Sequence, residues 1–215
     1  MPCAEFQPLP YTVAFLLPQE ILHFVTVQRR RLSDCCRRFD PLETLHLTIK
    51  YLGYPSEDFP EKFAIQLIPR IADILRPFVP VKVAIRGIDL FWAGPGQPPV
   101  AYLKVLSVEQ LRFMHEALTS GLGNDIECFP HADGKNFKPH ITISKHVEER
   151  EIERVLRLIY RSRKTAKRDF TLANVVLFTP NATYPIFPAP FSLLRQVGEN
   201  GDKKCDKNAF SPGEI

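Results

Sequence analysis

Alternating and continuous apolar runs divide most of the chain into short strands and amphipathic helices. The apolar run Tyr11 to Leu17 predicts a buried strand that the following proline ends. Apolar positions then recur at helical spacing, which predicts a helix that ends before Pro41. A second helical stretch is predicted from about Glu61 to Leu75, with a kink or restart at Pro69.

The middle of the chain predicts a hairpin followed by a third helix. Strand-like runs at Val81 to Trp92 and Val100 to Leu106 flank the loop AGPGQPP, which is a long hairpin connection. Apolar residues between Leu111 and Leu118 predict a helix that ends at the glycines beyond it. A fourth helix is predicted around Ile152 to Ile159.

The chain closes with strands predicted over Phe170 to Phe178 and Phe191 to Leu194. The hairpin and the alternating patterns favour mainly antiparallel sheets with helices on one face, which is an α+β architecture. Residues 1–197 are predicted to form one domain. Residues 198–215 are rich in Gly, Asn, Asp and Lys, and we expect a disordered tail there.

Two predicted strands look like copies of each other. LHLTIKYLG, from Leu45 to Gly53, and PHITISKHV, from Pro139 to Val147, each contain His-x-Thr within an apolar run. Side chains at positions i and i+2 of a strand share a face. The alternation therefore predicts two polar faces, made of His46, Thr48 and Lys50 in the first strand and of His140, Thr142 and Ser144 in the second. The opposite face of the first strand is predicted to hold Leu45, Leu47, Ile49 and Tyr51.

The repeat predicts two pseudo-symmetric lobes whose polar faces meet across a cleft. A single His-x-Thr is most simply a half-buried sheet residue, but two copies in similar contexts favour a site. Two imidazoles with ordinary pKa values near 6.5 can divide acid and base work at neutral pH. Two threonine hydroxyls can hydrogen-bond the oxygens of a phosphate between them. These residues need neither a metal nor a cofactor.

Composition limits the alternatives without deciding between them. Apolar residues make up 45% and charged residues 24% of the 215 residues, which is typical of a globular protein. The net charge of +4 is compatible with a polyanionic partner without requiring one. No apolar run approaches the roughly 20 residues needed to span a bilayer. The five scattered cysteines form no CxxC pair, which favours reduced thiols and a cytoplasmic location.

The paired motifs resemble those of the 2H phosphoesterase superfamily, specifically its 2′-5′ RNA ligase-like, or RNA 2′,3′-cyclic phosphodiesterase, group. LHLTIKYLG is similar to the family's first motif, and KPHITISK is similar to its second, with the proline before the histidine. The resemblance covers about Tyr11 to Leu194. It implies a bilobal fold around a central cleft, with outer helices and with one motif on each lobe.

The resemblance also implies an activity. Its members open cyclic phosphates, usually 2′,3′-cyclic nucleotides or RNA ends, to 2′-phosphomonoesters without a metal. By this resemblance His46 and His140 are the catalytic residues, and Thr48 and Thr142 bind the phosphate. We favour His140 as base and His46 as acid, although a pseudo-symmetric pair can exchange these roles.

Two other functions stay open from the sequence. One is a 2′-5′ oligonucleotide phosphodiesterase or an RNA 2′-5′ ligase, because some relatives of the resembled group join or cleave such bonds. The other is a nucleotide- or RNA-binding module without turnover. The presence of both histidines and both threonines argues against this second alternative. In each case we expect a monomer with RNA ends or nucleotides as partners and with no membrane contact.

Four further residues are candidates for substrate binding. Many relatives have Arg where this chain has Lys145, which keeps the charge but loses the bidentate geometry of a guanidinium. Lys50 is predicted to pair with the phosphate or else to extend to solvent. Phe91 and Trp92 end a predicted strand, where either ring could stack on a base or pack on the protein. Basic runs at 29–31 and 161–168 are candidates for an RNA backbone or for a solvated surface.

Overall fold

A computed structural model describes residues 9–92, 96–162 and 167–187 of the chain. The strand predicted at Phe191 to Leu194 and the predicted tail from residue 198 lie outside these residues. So does the predicted domain end at residue 197.

Among the described residues, five α-helices form where the apolar spacing predicts helices. They are α1 (Gln19–Leu32), α2 (Glu61–Gln66), α3 (Ile68–Leu75), α4 (Glu109–Leu122) and α5 (Ile152–Ser162). Helices α2 and α3 correspond to the one predicted stretch, which restarts beside Pro69, since proline lacks an N–H donor and fits a first helical turn. Helix α4 ends at Gly123, whose φ of 55° suits a glycine at a helix end.

The predicted extent of the first helix was too long. Helix α1 begins after Pro18, because the extended conformation of Pro18 excludes it from the helix. The helix ends at Leu32. Arg37 and Arg38 therefore lie outside the helix, in a short strand that the sequence pattern did not indicate. The three arginines of the last turn of α1 are placed favourably against the negative end of the helix dipole.

Ten strands complete the described structure. They are β1 (Tyr11–Leu16), β2 (Cys36–Arg38), β3 (His46–Gly53), β4 (Val81–Trp92), β5 (Pro99–Val105), β6 (His140–Ser144), β7 (His146–Val147), β8 (Arg168–Leu172), β9 (Val175–Phe178) and β10 (Thr183–Pro185). Strands β4 and β5 form the predicted hairpin. Strands β2 and β7 pair with each other outside the main sheet.

The main sheet is antiparallel and has two halves of four strands. Its order is β10-β9-β1-β3-β6-β5-β4-β8, so the two motif strands β3 and β6 are central neighbours. In each half the motif strand is followed outward by three further strands. Helix α4 contacts β3, α1 contacts β6 and α5 contacts β4. The α+β fold with two pseudo-symmetric lobes is confirmed.

The strand predicted over Phe170 to Phe178 was wrong in one respect, because it is two strands in opposite halves of the sheet. Strand β8 pairs with β4 at one edge, whereas β9 pairs with β1 in the other half. Only Ala173 and Asn174 connect them, and three Cα steps span at most about 11 Å. The sheet therefore curls until its two halves approach each other.

The described residues contain no helix long and apolar enough to cross a membrane.

Candidate active site

The two His-x-Thr motifs meet at the centre of the sheet. Strands β3 and β6 are antiparallel, with Leu47 paired to Ile141. This register sets His46 across from Thr142 and Thr48 across from His140. Leu47 and Ile141 are fully buried, whereas the four motif side chains are only partly buried. A pseudo-two-fold axis thus passes between the strands and relates one motif to the other.

The two imidazoles are oriented in the same way. The His46 Nδ1 lies 2.7 Å from the Thr44 carbonyl oxygen, and the His140 Nδ1 lies 2.7 Å from the Lys138 carbonyl oxygen. A carbonyl oxygen only accepts, so each Nδ1 carries the proton and donates it. Each neutral ring therefore presents the lone pair of Nε2, which is the atom needed to take or return a proton.

An aromatic ring packs on each imidazole in an equivalent position. The Phe178 ring lies 4.9 Å from the His46 ring, and the Phe91 ring lies 5.1 Å from the His140 ring, measured between centroids. Phe178 pairs with Thr12 of β1 in one half, and Phe91 pairs with Val100 of β5 in the other. Strands β1 and β5 both neighbour a motif strand, so these phenylalanines extend the pseudo-symmetry beyond the motifs.

A β-bulge follows each motif. On β3, Thr48 pairs with Ala14 but Lys50 pairs with Val13, so Ile49 is an extra residue. On β6, Thr142 pairs with Tyr102 but Ser144 pairs with Ala101, so the second bulge lies at the equivalent position. An extra residue interrupts the alternation of faces along a strand.

The bulges overturn three of the predicted face assignments. Lys50 and Ser144 turn away from the histidines and are buried, with 1% and 0% of their surface exposed. The Lys50 Nζ donates to both carboxylate oxygens of Asp133, at 2.6 and 2.7 Å. Neither predicted position for Lys50, on the phosphate or in solvent, is the one observed. The third assignment concerns Tyr51, which leaves the apolar face and joins the face of Thr48.

The residue three positions beyond each threonine therefore reaches the histidine face. Tyr51 takes this position in one half, where the Thr48 hydroxyl beside its phenol opposes the rise that burial causes in the pKa of Tyr51. Lys145 takes it in the other half, where its Nζ forms an ion pair with Asp40 at 2.8 Å. The positive charge of Lys145 acts on His46, whose pKa it lowers. Lys145 is thus near the imidazole of the opposite motif.

The two halves differ at only some of these positions. Tyr102, beside Thr142, packs edge-on against the His140 ring at 5.5 Å. Its pseudo-symmetric equivalent beside Thr48 is Ala14, which has no ring. The surroundings of His140 are consequently aromatic, while those of His46 include the charged pair of Lys145 and Asp40.

The pKa values of both histidines lie below their ordinary value. Burial is the main cause for each. For His46 the hydrogen bond to Thr44 opposes the shift, Lys145 adds to it, and Asp40 opposes it. For His140 the hydrogen bond to Lys138 opposes the shift, and the nearby His46 adds to it. Both rings are therefore neutral at pH 7 in the free protein, and a bound anion would favour protonation of either.

The remaining candidates take varied positions. Phe91 packs on His140, whereas Trp92 is 58% exposed at the end of β4. In the first basic run, Arg29 lies over the Phe39 ring. In the second run, residues 163–166 lie outside the described residues. Arg168 lies over the Phe24 ring, and Lys167 pairs with Asp169.

Sequence reasoning missed four residues that border the histidines, and it misplaced a fifth. Phe178 and Tyr102 come from distant segments, whereas Asp40 and Lys138 lie shortly before His46 and His140, and no local pattern marks any of the four. The bulge that turns Tyr51 also has no signature in one strand alone. Among the described residues, no group of three or more His, Cys, Asp or Glu side chains is arranged to hold a metal ion.

Paired His-x-Thr strands at the centre of a curled antiparallel sheet define a 2H phosphoesterase. The family model of the 2′-5′ RNA ligase superfamily matches residues 17–182, most of the chain, so the protein belongs to that superfamily. The resemblance inferred from the motifs is confirmed.

The chain is similar to several solved structures, and the first of these has the same fold. TT0787 of Thermus thermophilus is 21% identical with a TM-score of 0.56, and the match covers 83% of this chain and 98% of that one. E. coli LigT in its apo form is 18% identical with a TM-score of 0.48, covering 83% and 94%. LigT complexed with 3′-AMP has the same identity and coverage and a TM-score of 0.47. No curated protein matches the chain.

Proposed function

We propose that the protein is a metal-independent phosphodiesterase that opens 2′,3′-cyclic phosphates of RNA ends or nucleotides to 2′-phosphomonoesters. One observation carries the proposal. Two imidazoles that carry their lone pair on Nε2 and two threonine hydroxyls share one face of adjacent strands, related by a pseudo-two-fold axis. Displacement at phosphorus needs a base on the attacking oxygen and an acid on the leaving oxygen, and a two-fold site offers one on each side.

The proposed reaction is a single displacement by water. His140 Nε2 takes a proton from water, whose oxygen forms a bond to phosphorus while the bond from phosphorus to O3′ breaks. Protonated His46 gives its Nε2 proton to O3′, which leaves a 3′-hydroxyl and a 2′-phosphate. Proton exchange with solvent then restores the two rings. General acid and base terms of roughly 10²–10⁴-fold each are expected from such residues.

The surroundings of the rings support this division of roles. His140 lies between Phe91 and Tyr102, and burial keeps it neutral, as a base must be. Asp40 favours the protonated form of His46, but Lys145 opposes it more strongly, so protonation of His46 depends on the bound substrate. The phosphate anion would face both Nε2 atoms and would favour the protonated form.

The threonines and Lys145 complete the proposed phosphate site. Thr48 and Thr142 lie across from the two histidines, where their hydroxyls can donate to the nonbridging oxygens. Lys145 would add a positive charge on the His46 side. Lys50 has no place in this site, because the bulge turns its side chain away from the histidines and buries it against Asp133.

Product analysis by ³¹P NMR tests the proposal. The protein is incubated in EDTA with 2′,3′-cyclic AMP and with a short RNA that ends in a cyclic phosphate. We expect 2′-phosphate products, and losses of at least about 10²-fold in His46→Ala and in His140→Ala. His23→Ala is the matched control, because His23 is exposed on α1 and outside the motifs.

Three results would reject or redirect the proposal. The absence of turnover on both substrates, or turnover that the two histidine substitutions leave unchanged, would reject it. Cleavage of an internal 2′-5′ link, with the cyclic end untouched, would point to the 2′-5′ phosphodiesterase alternative. Tight binding of AMP by calorimetry without any product would point to a binding module.

A further inference from the structure

A buried cluster of polar side chains lies behind the two motif strands. It consists of Lys50 from β3, His115 from α4 and Asp133 from the segment before β6. The Lys50 side chain is fully inaccessible and donates to both oxygens of Asp133. The neutral His115 ring lies beside this pair, with its unprotonated Nε2 3.4 Å from Asp133 Oδ1, and both side chains are largely buried. The reaction proposed above uses none of these three side chains.

Each member of the cluster also holds a piece of backbone. The His115 Nδ1 donates to the Ile49 carbonyl oxygen at 2.8 Å, and Ile49 is the bulge residue of β3. Asp133 Oδ2 accepts the Phe129 N–H at 2.8 Å. The His115 ring stacks on Phe137 at 4.2 Å, nearly parallel to it. The cluster therefore connects the bulge of β3, helix α4 and residues 129–137 through direct contacts.

Residues 129–137 lead directly into the second motif. Phe137 precedes Lys138, whose carbonyl oxygen accepts from His140 Nδ1 and sets the tautomer of that ring. At the other end of the cluster, Lys50 is two residues beyond Thr48, which lies across from His140. The cluster thus links the end of the first motif to the segment that orients the histidine of the second.

We propose that Lys50, Asp133 and His115 form a positioning network that fixes the His140 imidazole relative to Thr48. Stability alone explains such a cluster poorly, since buried ion pairs can often be replaced by apolar side chains of similar volume without loss. The network acts through the segment that carries Lys138, so it controls His140 and leaves His46, held by Thr44, unaffected. The turnover part of this inference rests on the proposed function.

The test compares two double variants. Lys50→Met with Asp133→Leu removes both buried charges together, and Arg70→Met with Asp125→Leu removes a partly exposed ion pair elsewhere as the matched control. Imidazole ¹⁵N NMR reports the tautomer of each histidine without requiring turnover. We expect His140 to lose its fixed Nδ1–H tautomer in the first variant, with His46 unchanged. We also expect kcat to fall by about 10-fold to 100-fold with little change in KM.

Several outcomes would overturn the network. These are a His140 tautomer and kcat equal to those of the control, or equal disturbance of His46 and His140. If the double variant does not fold, Asp133→Asn replaces it, because the amide oxygen still accepts the Phe129 N–H. If that variant also fails to fold, the cluster is structural and the proposal is wrong. If the wild-type protein has no turnover, the proposed function fails, while the tautomer measurement still decides on the network.

Discussion

Thr48 and Tyr51 lie on the same face of β3, and the Thr48 hydroxyl acts on the Tyr51 phenol by lowering its pKa, although three positions separate the two residues. In a regular strand they would face opposite ways. The extra residue at Ile49 interrupts the alternation of faces along β3. Tyr51 therefore falls on the face of Thr48, where its phenol reaches the hydroxyl proposed to bind the phosphate. The equivalent bulge on β6 brings Lys145 to the histidine face instead. The same bulge in both halves therefore places a phenol on one side of the site and an ammonium group on the other.

Tyr51→Phe should lower kcat on a 2′,3′-cyclic nucleotide by about 2-fold to 10-fold, because an ordinary hydrogen bond contributes about 0.5–1.5 kcal/mol. The ring stays, so the fold should not change. Tyr54→Phe is the control, since its ring also packs 5.5 Å from Phe129. Steady-state kinetics of the wild-type protein, Tyr51→Phe and Tyr54→Phe measure the three kcat values. Equal kcat values for all three would show that Tyr51 does not orient Thr48.

The sequence predicts the site better than its surroundings, for a physical reason. His46, Thr48, His140 and Thr142 could be predicted because a period of two governs both motif strands up to the bulges. Beyond the bulges the two-residue alternation of faces no longer holds. A single sequence shows no local pattern that would predict where such an extra residue lies. The turn of Lys50 into the core depends on Asp133, which is 83 positions away.

The same limit applies to the fold. The apolar spacing predicted the helices and the longer strands, but it did not indicate β2 or β10, and it did not separate β8 from β9 within Phe170 to Phe178. Their separation depends on pairing with β4 and β1, which are remote in sequence. The Phe91 and Phe178 rings reach the histidines through the same remote pairings.

The pH optimum of kcat/KM should lie below 6.5, the ordinary pKa of histidine. The profile of kcat/KM reports the free protein, in which burial lowers the pKa of both His46 and His140. The profile of kcat reports the substrate complex, where the phosphate anion raises these pKa values. The kcat optimum should therefore lie at higher pH than the kcat/KM optimum. Coincident optima, or a kcat/KM optimum above 6.5, would contradict this assignment.

Substitutions of Lys145 and Asp40 should move the pKa of His46 in opposite directions. Lys145 lowers that pKa and Asp40 raises it, so Lys145→Met should raise it and Asp40→Asn should lower it further. Lys145→Arg keeps the charge and is the control. An NMR titration of the imidazole resonances measures all three. Shifts of the same sign in Lys145→Met and Asp40→Asn would show that the pair does not act through its charges.

The Lys145 and Asp40 substitutions should also change substrate binding, measured by KM, independently of the pKa of His46. Lys145→Met removes a charge proposed to face the phosphate, so KM should rise. Asp40→Asn removes the negative charge that pairs with Lys145 and should lower KM for the same anion. Steady-state kinetics at one ionic strength check both, because added salt screens such effects. A KM that is unchanged in both variants would place the phosphate away from Lys145.

Lys50→Met alone should destabilise the protein far more than a comparable change at the surface. The substitution leaves Asp133 as a largely buried carboxylate without its cation, and breaking a buried pair in this way costs about 3–5 kcal/mol. Arg70→Met is the control, because the Arg70–Asp125 pair is half-exposed and such pairs contribute at most about 1 kcal/mol. Urea unfolding at pH 7 measures both free energies of unfolding.

Adding Asp133→Leu to Lys50→Met should restore most of the lost free energy of unfolding, because no unpaired charge then stays buried. A single variant as stable as the wild-type protein would mean that water reaches Asp133 once Lys50 is gone.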